Sequence, residues 1–204
     1  MSDGFRVPAS SGESELTEKR SRFLGHLQPV ETEYEAKAFI TSVKKQYHDA
    51  RHNCWCYRLY NGPDRFSDDG EPSGSAGMPM LEVFRREDVF NLVCVVTRYF
   101  GGVLLGTGGL SRAYSGTAKL ALTEAGILLL GHRKQLMLKC PYAMTERMKN
   151  LIAAAGAEIS DLRYSEDVSI SVLVPDSKAE ELVRQIKEIS SGRICPVMGD
   201  SVYT

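Results

Sequence analysis

The chain has 204 residues, 43% of them hydrophobic and 25% charged, ordinary globular usage that suffices for one large domain or two small ones. Lys and Arg number 25 against 26 Asp and Glu, a formal charge of -1, so composition supplies no bulk attraction to nucleic acid or anionic lipid, and any such binding must come from a local patch. No apolar run approaches the ~18 residues of a membrane span and the first dozen residues lack the basic start and apolar core of a signal peptide. Five dispersed cysteines fit reduced thiols better than a disulfide framework, and together these features predict a cytoplasmic protein with no membrane partner.

Residues 1–13, rich in Ser and Gly, predict a flexible tail. The stretch SELTEKRSRFLGHLQPV (14–30) alternates as a strand pair, and Thr32 with Glu35 forms a capping-box pair ahead of Ala36, Phe39, Ile40, Val43 and Tyr47 at helical spacing. That helix is expected to end near His48. HNCWCYRLY (52–60) reads as a strand broken by Asn61-Gly62-Pro63, Met80 to Arg86 as a helix, and NLVCVVT (91–97) as a strand covered on both faces. Leu110, Ala113, Tyr114, Thr117 and Ala121 mark a further helix face. Gly131-His132-Arg133-Lys134 reads as a basic break between a domain of residues 14–131 and one of 135–204. The second domain runs strand 135–140, a helix closed by Gly156, strands near 158–164 and 167–174, a helix capped by Ser177 and Glu180, and a strand near 193–198. This β-α-β-β-α-β order, in about 70 residues, is the ferredoxin-like arrangement.

Two stretches carry candidate chemistry. RYFGGVLLGTGGLSRAY (98–114) sets Gly101, Gly102, Gly106, Gly108 and Gly109 between a strand and a helix start, where free amides and the helix dipole can bind an anion. The phosphate-loop pattern fails at Thr107-Gly108, and the dinucleotide pattern fails at Ser111. Arg98, Arg112 and Lys119 are expected to hold phosphate, with Tyr99, Phe100 and Tyr114 able to stack on bases, although aromatics beside a strand end more often belong to a core. FSDDGEPSGSAGMP (66–79) offers Asp68, Asp69 and Glu71 as a polar or divalent-cation site, against the plainer reading of turn chemistry plus a helix cap. His52, Cys54 and Cys56 alternate on one strand face but lack the paired spacing of a zinc site, so buried thiols beside a polar histidine are favoured and no metal ligands are assigned.

The run His52-x-Cys54, then Phe66-x-Asp68-Asp69-Gly70-Glu71-Pro72-x-Gly74-Ser75-Ala76-Gly77-x-Pro79, then Val96-x-Arg98-Tyr99-Phe100-Gly101-Gly102 through Leu105-Gly106-x-Gly108-Gly109-Leu110-x-Arg112-Ala113-Tyr114, strongly resembles the YigZ/IMPACT family. The resemblance implies an α+β protein of two domains. The first would have the fold of the second domain of ribosomal protein S-five, and the second a ferredoxin-like fold similar to the last domain of elongation factor G. It implies no enzymatic activity, so no catalytic residue and no cofactor is assigned. Eukaryotic relatives act in translational control under amino-acid starvation through an additional N-terminal domain, for which a dozen residues leave no room, so that role is not expected here. Two readings remain. In one the protein is a non-catalytic regulator whose partner is RNA or the ribosome, contacted through Arg98, Arg112 and Lys119. In the other it is an enzyme binding a nucleotide or phosphometabolite at the glycine stretch, with Mg²⁺ held by Asp68, Asp69 or Glu71.

Overall fold

The computed structural model describes residues 4–203, which divide into two compact units, Phe5–Leu129 and Leu130 onward together with Gly4. The first unit contains β1 (Gly4–Pro8), β2 (Gly12–Glu18), β3 (Ser21–Pro29), α1 (Glu33–Gln46), β4 (His52–Arg58), β5 (Arg65–Ser67), α2 (Gly77–Arg86), β6 (Leu92–Tyr99) and α3 (Gly106–Ala125). Residues 4–13 therefore correct the expectation of a flexible tail, whose first three residues lie outside the described ones. Phe5 and Val7 are buried, and the Phe5 ring stacks on Tyr60 with centroids 3.8 Å apart, so tertiary packing overrides a loop-like composition.

The first unit's main sheet has the order β2-β3-β6-β4-β5 with every neighbouring pair antiparallel. β6 is covered on both faces, as its unbroken apolar run predicts. Val93 and Val95 join Ala36, Ile40 and Val43 of α1, while Cys94 and Val96 join Met80, Leu81 and Phe84 of α2 and Leu110, Tyr114 and Ala118 of α3. α1 opens on the predicted capping box, with the Glu35 amide donating to Thr32 Oγ1 at 3.2 Å and the Thr32 amide donating to the Glu35 carboxylate at 3.1 Å. β6 runs to Tyr99, two residues past its expected end, and this places Arg98 on a strand.

β7 (Ile127–Cys140) begins in the first unit and continues into the second, which adds α4 (Thr145–Ala154), β8 (Glu158–Tyr164), β9 (Val168–Pro175), α5 (Asp176–Ile189) and β10 (Val197–Tyr203). Its antiparallel strand order, β10-β7-β9-β8, is the ferredoxin-like one, so the protein is an α+β chain of two domains. Three details of the sequence reading are corrected. Residues 131–134 form no break, because Arg133 and Lys134 pair with Pro175 and Val174 inside β7. α5 starts one residue before Ser177, with no side-chain cap. The last strand lies later than expected: Ile194 is buried in the turn after α5, its amide bonded to Ser190 Oγ, and the pairing of β10 with β7 is interrupted between Met198 and Ser201. No described helix is long and apolar enough to cross a membrane.

Candidate functional site

Two sets of polar residues in the first domain answer to the motifs. The first centres on Glu71, whose side chain is 4% exposed. Antiparallel register sets His52 of β4 directly opposite Arg98 of β6, and both meet Glu71 from the loop that precedes α2. Arg98 Nη1 donates to Glu71 Oε1 at 2.6 Å, Tyr114 of α3 donates to the same oxygen at 2.9 Å, and His52 Nε2 stands 4.0 Å from it. Arg98 Nη2 also reaches Ser21 Oγ at 3.4 Å, and its guanidinium lies 5.5 Å from the ring centroids of both Phe23 and Phe100. His52 Nδ1 sits 2.8 Å from the Asp69 carbonyl oxygen. A carbonyl can only accept, so Nδ1 carries a proton in this contact.

The three acidic residues do not converge, which corrects the reading of Asp68, Asp69 and Glu71 as one cation site. Asp68 accepts from the backbone amides of Gly74, Ala76 and Gly77 at 2.8–2.9 Å and so caps α2, in keeping with the plainer reading of turn chemistry plus a helix cap. Asp69 accepts from the Asn53 amide at 2.7 Å and from Lys44 at 2.6 Å, while Glu71 belongs to Arg98. Among the described residues no group of three or more His, Cys, Asp and Glu is placed to hold a metal ion. Cys54 and Cys56 are core residues. Burial pushes the Cys54 thiol up to about 12, so it is not a thiolate at neutral pH and is no nucleophile. Burial likewise raises Tyr114, which is fully enclosed; it is a core hydrogen-bond donor and not a platform for a base.

The glycines of the 101–109 stretch do different work. A Cβ at Gly101 would run into the Arg20 carbonyl, so this glycine permits backbone packing, with its amide donating to Ser21 Oγ at 3.1 Å. Gly106 has φ +68 and open space around its Cβ position, and it starts the twenty-residue α3 with no side-chain cap. Gly102, Gly108 and Gly109 lie in the exposed loop and in the first turn of α3. A cavity of about 470 Å³ opens there, lined by His52, Glu71, Arg98, Phe100, Leu104 and Thr107 among others.

Arg112 and Lys119 are elsewhere, so the three expected phosphate cations do not form one cluster. With Arg86 they line a separate groove of about 520 Å³ between α2 and α3. All three are exposed, and none has an ion-pair partner among the described residues, whereas Arg22, Lys37, Lys44, Arg58, Arg85 and Arg98 of the same domain are each paired with a carboxylate. Arg86 was not singled out by sequence reasoning, because only the packing of α2 on α3 brings it beside the other two. Tyr99 points away from both places, its hydroxyl donating to Asp49 at 2.9 Å.

Comparison with known proteins follows the same division. Residues 19–122 match the family model described as the Impact N-terminal domain, and residues 138–193 match a domain of unknown function, DUF1949. The chain is 34% identical over 205 residues to IMPACT family member YvyE of Bacillus subtilis, covering all of this chain and 94% of that one. It is 35% identical to IMPACT family member YigZ of Escherichia coli, over 86% of this chain and 88% of the other. Protein IMPACT-A of Xenopus tropicalis is 36% identical over 104 residues, 48% of this chain and 32% of the frog protein. A crystal structure of a hypothetical protein superposes with a TM-score of 0.65 at 31% identity, covering 97% of this chain and 98% of that one. Likeness along the full length to bacterial relatives, with both domains matched in the same order, makes this chain a two-domain member of the IMPACT family.

Proposed function

We infer that the protein is a non-catalytic regulator linked to translation that binds structured RNA or the ribosome through the groove between α2 and α3. The observation that carries this reading is the grouping of Arg86, Arg112 and Lys119 along one groove, exposed and without carboxylate partners among the described residues. Unpaired cations along a groove act on phosphates as a local patch, and this is the form of attraction open to a chain of net charge -1. Arg98 is left out of the contact set, since it is 6% exposed and bound to Glu71. Ribosome and structured-RNA binding across a salt series tests the reading. Affinity should fall linearly on a logarithmic scale, and the charge-reversing pair Arg86→Glu, Lys119→Glu should flatten the slope by about 0.9 for each phosphate no longer neutralised. Binding insensitive to salt, or unchanged in a folded double variant, would refute it.

A further inference from the structure

Gly116 stands in the middle of the twenty-residue α3, where glycine destabilises a helix relative to alanine. Crowding does not account for it. A Cβ at this position would meet Leu16 Cδ2 at 3.8 Å, an ordinary contact, and the φ of Gly116 is not in the left-handed region. With Ser111, Arg112, Ser115 and Lys119 it forms a stripe two turns long on the side of α3 that lines the cationic groove. Arg112 and Lys119 are seven residues apart, about 10 Å along the helix axis, so they can meet separate phosphates. The bare backbone between them is where another chain can come closest. Ser115 Oγ donates to the Ser111 carbonyl at 2.7 Å and Ser111 Oγ to the Ser75 carbonyl at 3.4 Å, so both hydroxyl oxygens keep lone pairs to accept from a ligand. Glu82, a carboxylate in the lining, is already paired with Arg85 at 2.8 Å. Among the described residues that line the groove there is no aromatic ring on which an unstacked base could lie.

We propose that the groove seats the sugar–phosphate backbone of an RNA duplex, its phosphates on Arg86, Arg112 and Lys119, a ribose passing over Gly116, and 2′-hydroxyls donating to Ser111 and Ser115. This rests on the reading of the groove as an RNA site and narrows it to base-paired RNA, held by backbone and shape without choice of sequence. Single strands are held largely by stacking their bases on aromatic rings, and DNA has no 2′-hydroxyl to offer the serines. A duplex presents its phosphates and 2′-hydroxyls along a surface fixed in advance, which is what a stripe of cations, hydroxyls and exposed backbone can grip.

Binding of the full chain is measured at one low salt concentration to an RNA duplex of about 20 base pairs, to one of its strands alone, and to the DNA duplex of the same sequence. The RNA duplex should bind about tenfold more tightly than either of the others. Gly116→Ala should raise the thermal midpoint of the free protein by about 2 °C and yet weaken duplex binding. Gly116→Leu, which projects further into the groove, should weaken it about tenfold or more. A glycine kept for folding alone would show the opposite, lost stability with affinity retained. Ser115→Ala should narrow the preference for RNA over DNA. A single strand or a DNA duplex bound as tightly as the RNA duplex, or duplex affinity unchanged in both folded Gly116 variants, overturns the proposal. If none of the three probes binds while ribosomes are still held through Arg86 and Lys119, the duplex proposal fails and the groove reading stands; if ribosomes are not held either, both fail.

Discussion

The two domains bury different things. Ser21, Asn53, Glu71, Ser75, Thr97, Arg98 and Thr117 are buried polar residues of the first domain, whereas the second buries only Thr145 and Ser190 besides its apolar side chains among the described residues. Those two are local: Thr145 Oγ1 donates to the Pro141 carbonyl at 3.4 Å, and Ser190 Oγ accepts the Ile194 amide at 3.1 Å, each serving a turn four residues away. In the first domain Ser75 and Thr117 also bond locally, but Thr97 reaches Asn53 at 2.6 Å and Arg98 reaches Glu71 at 2.6 Å across distant segments. Removing a charge from water is unfavourable, and a hydrophobic core of equal volume would serve stability as well or better. The contrast teaches that the second domain is organised by apolar burial and local turns, while the first holds a polar network that borders an open cavity and gives it its chemistry.

Cutting that network should produce the largest effect. Glu71→Ala leaves the Arg98 guanidinium buried without its counter-ion, and a loss of about 3–5 kcal/mol is expected in urea unfolding. The double variant Glu71→Gln, Arg98→Met removes both charges and should be less destabilised than the two single changes added together. A cost for Glu71→Ala near the ~0.5 kcal/mol of an ordinary surface change would break the contrast between the domains.

A smaller effect is expected at the acidic loop. Asp68→Ala removes the acceptor for three backbone amides at the start of α2, and about 2 kcal/mol should be lost, measured by the same unfolding experiment. Loss of stability with retained binding at the α2–α3 groove would mark Asp68 as a cap; full stability would show that the three amides find other partners.

The smallest effect is a pH dependence at His26. Burial, only partly opposed by Glu13, holds this imidazole below its ordinary pKa, and its Nε2 has no partner. The unfolded chain then binds the proton more readily than the folded one. His26 therefore costs nothing above the ordinary value of ~6.5, and stability declines as pH falls through it toward the lower folded pKa. His26→Phe keeps a ring to stack on Tyr47, whose centroid lies 4.9 Å from that of His26, and should flatten this part of the acid limb. An unchanged slope between pH 7 and pH 5 would assign the acid sensitivity to other groups.

Much of the architecture follows from local rules. Thr32 and Glu35 announce α1 because a capping box satisfies orphan amides within four residues, and the unbroken apolar run of β6 announces two covered faces. The period-2 alternation of β9 announces a strand with one buried face, and the succession of strands and helices around it announces the ferredoxin-like order. Residues 4–13 were not readable this way, since Phe5 finds its partners at Tyr60 and Phe90, far along the chain. The site was readable in its residue types but not in its grouping. Arg98, His52 and Glu71 stand out in the motifs, as do Arg112 and Lys119.

What the sequence by itself determined is therefore the two-domain α+β plan, the capped start of α1, and the glycine-rich entry to α3. Only the tertiary structure decided that Arg98 pairs with Glu71 inside a cavity while Arg112 and Lys119 join Arg86 in a separate groove. Caps and periodicity are set by neighbours a few residues away. The grouping of charges depends on strand register and helix packing that bring together segments 27 to 46 residues apart, as Glu71 with Arg98 and His52 with Arg98.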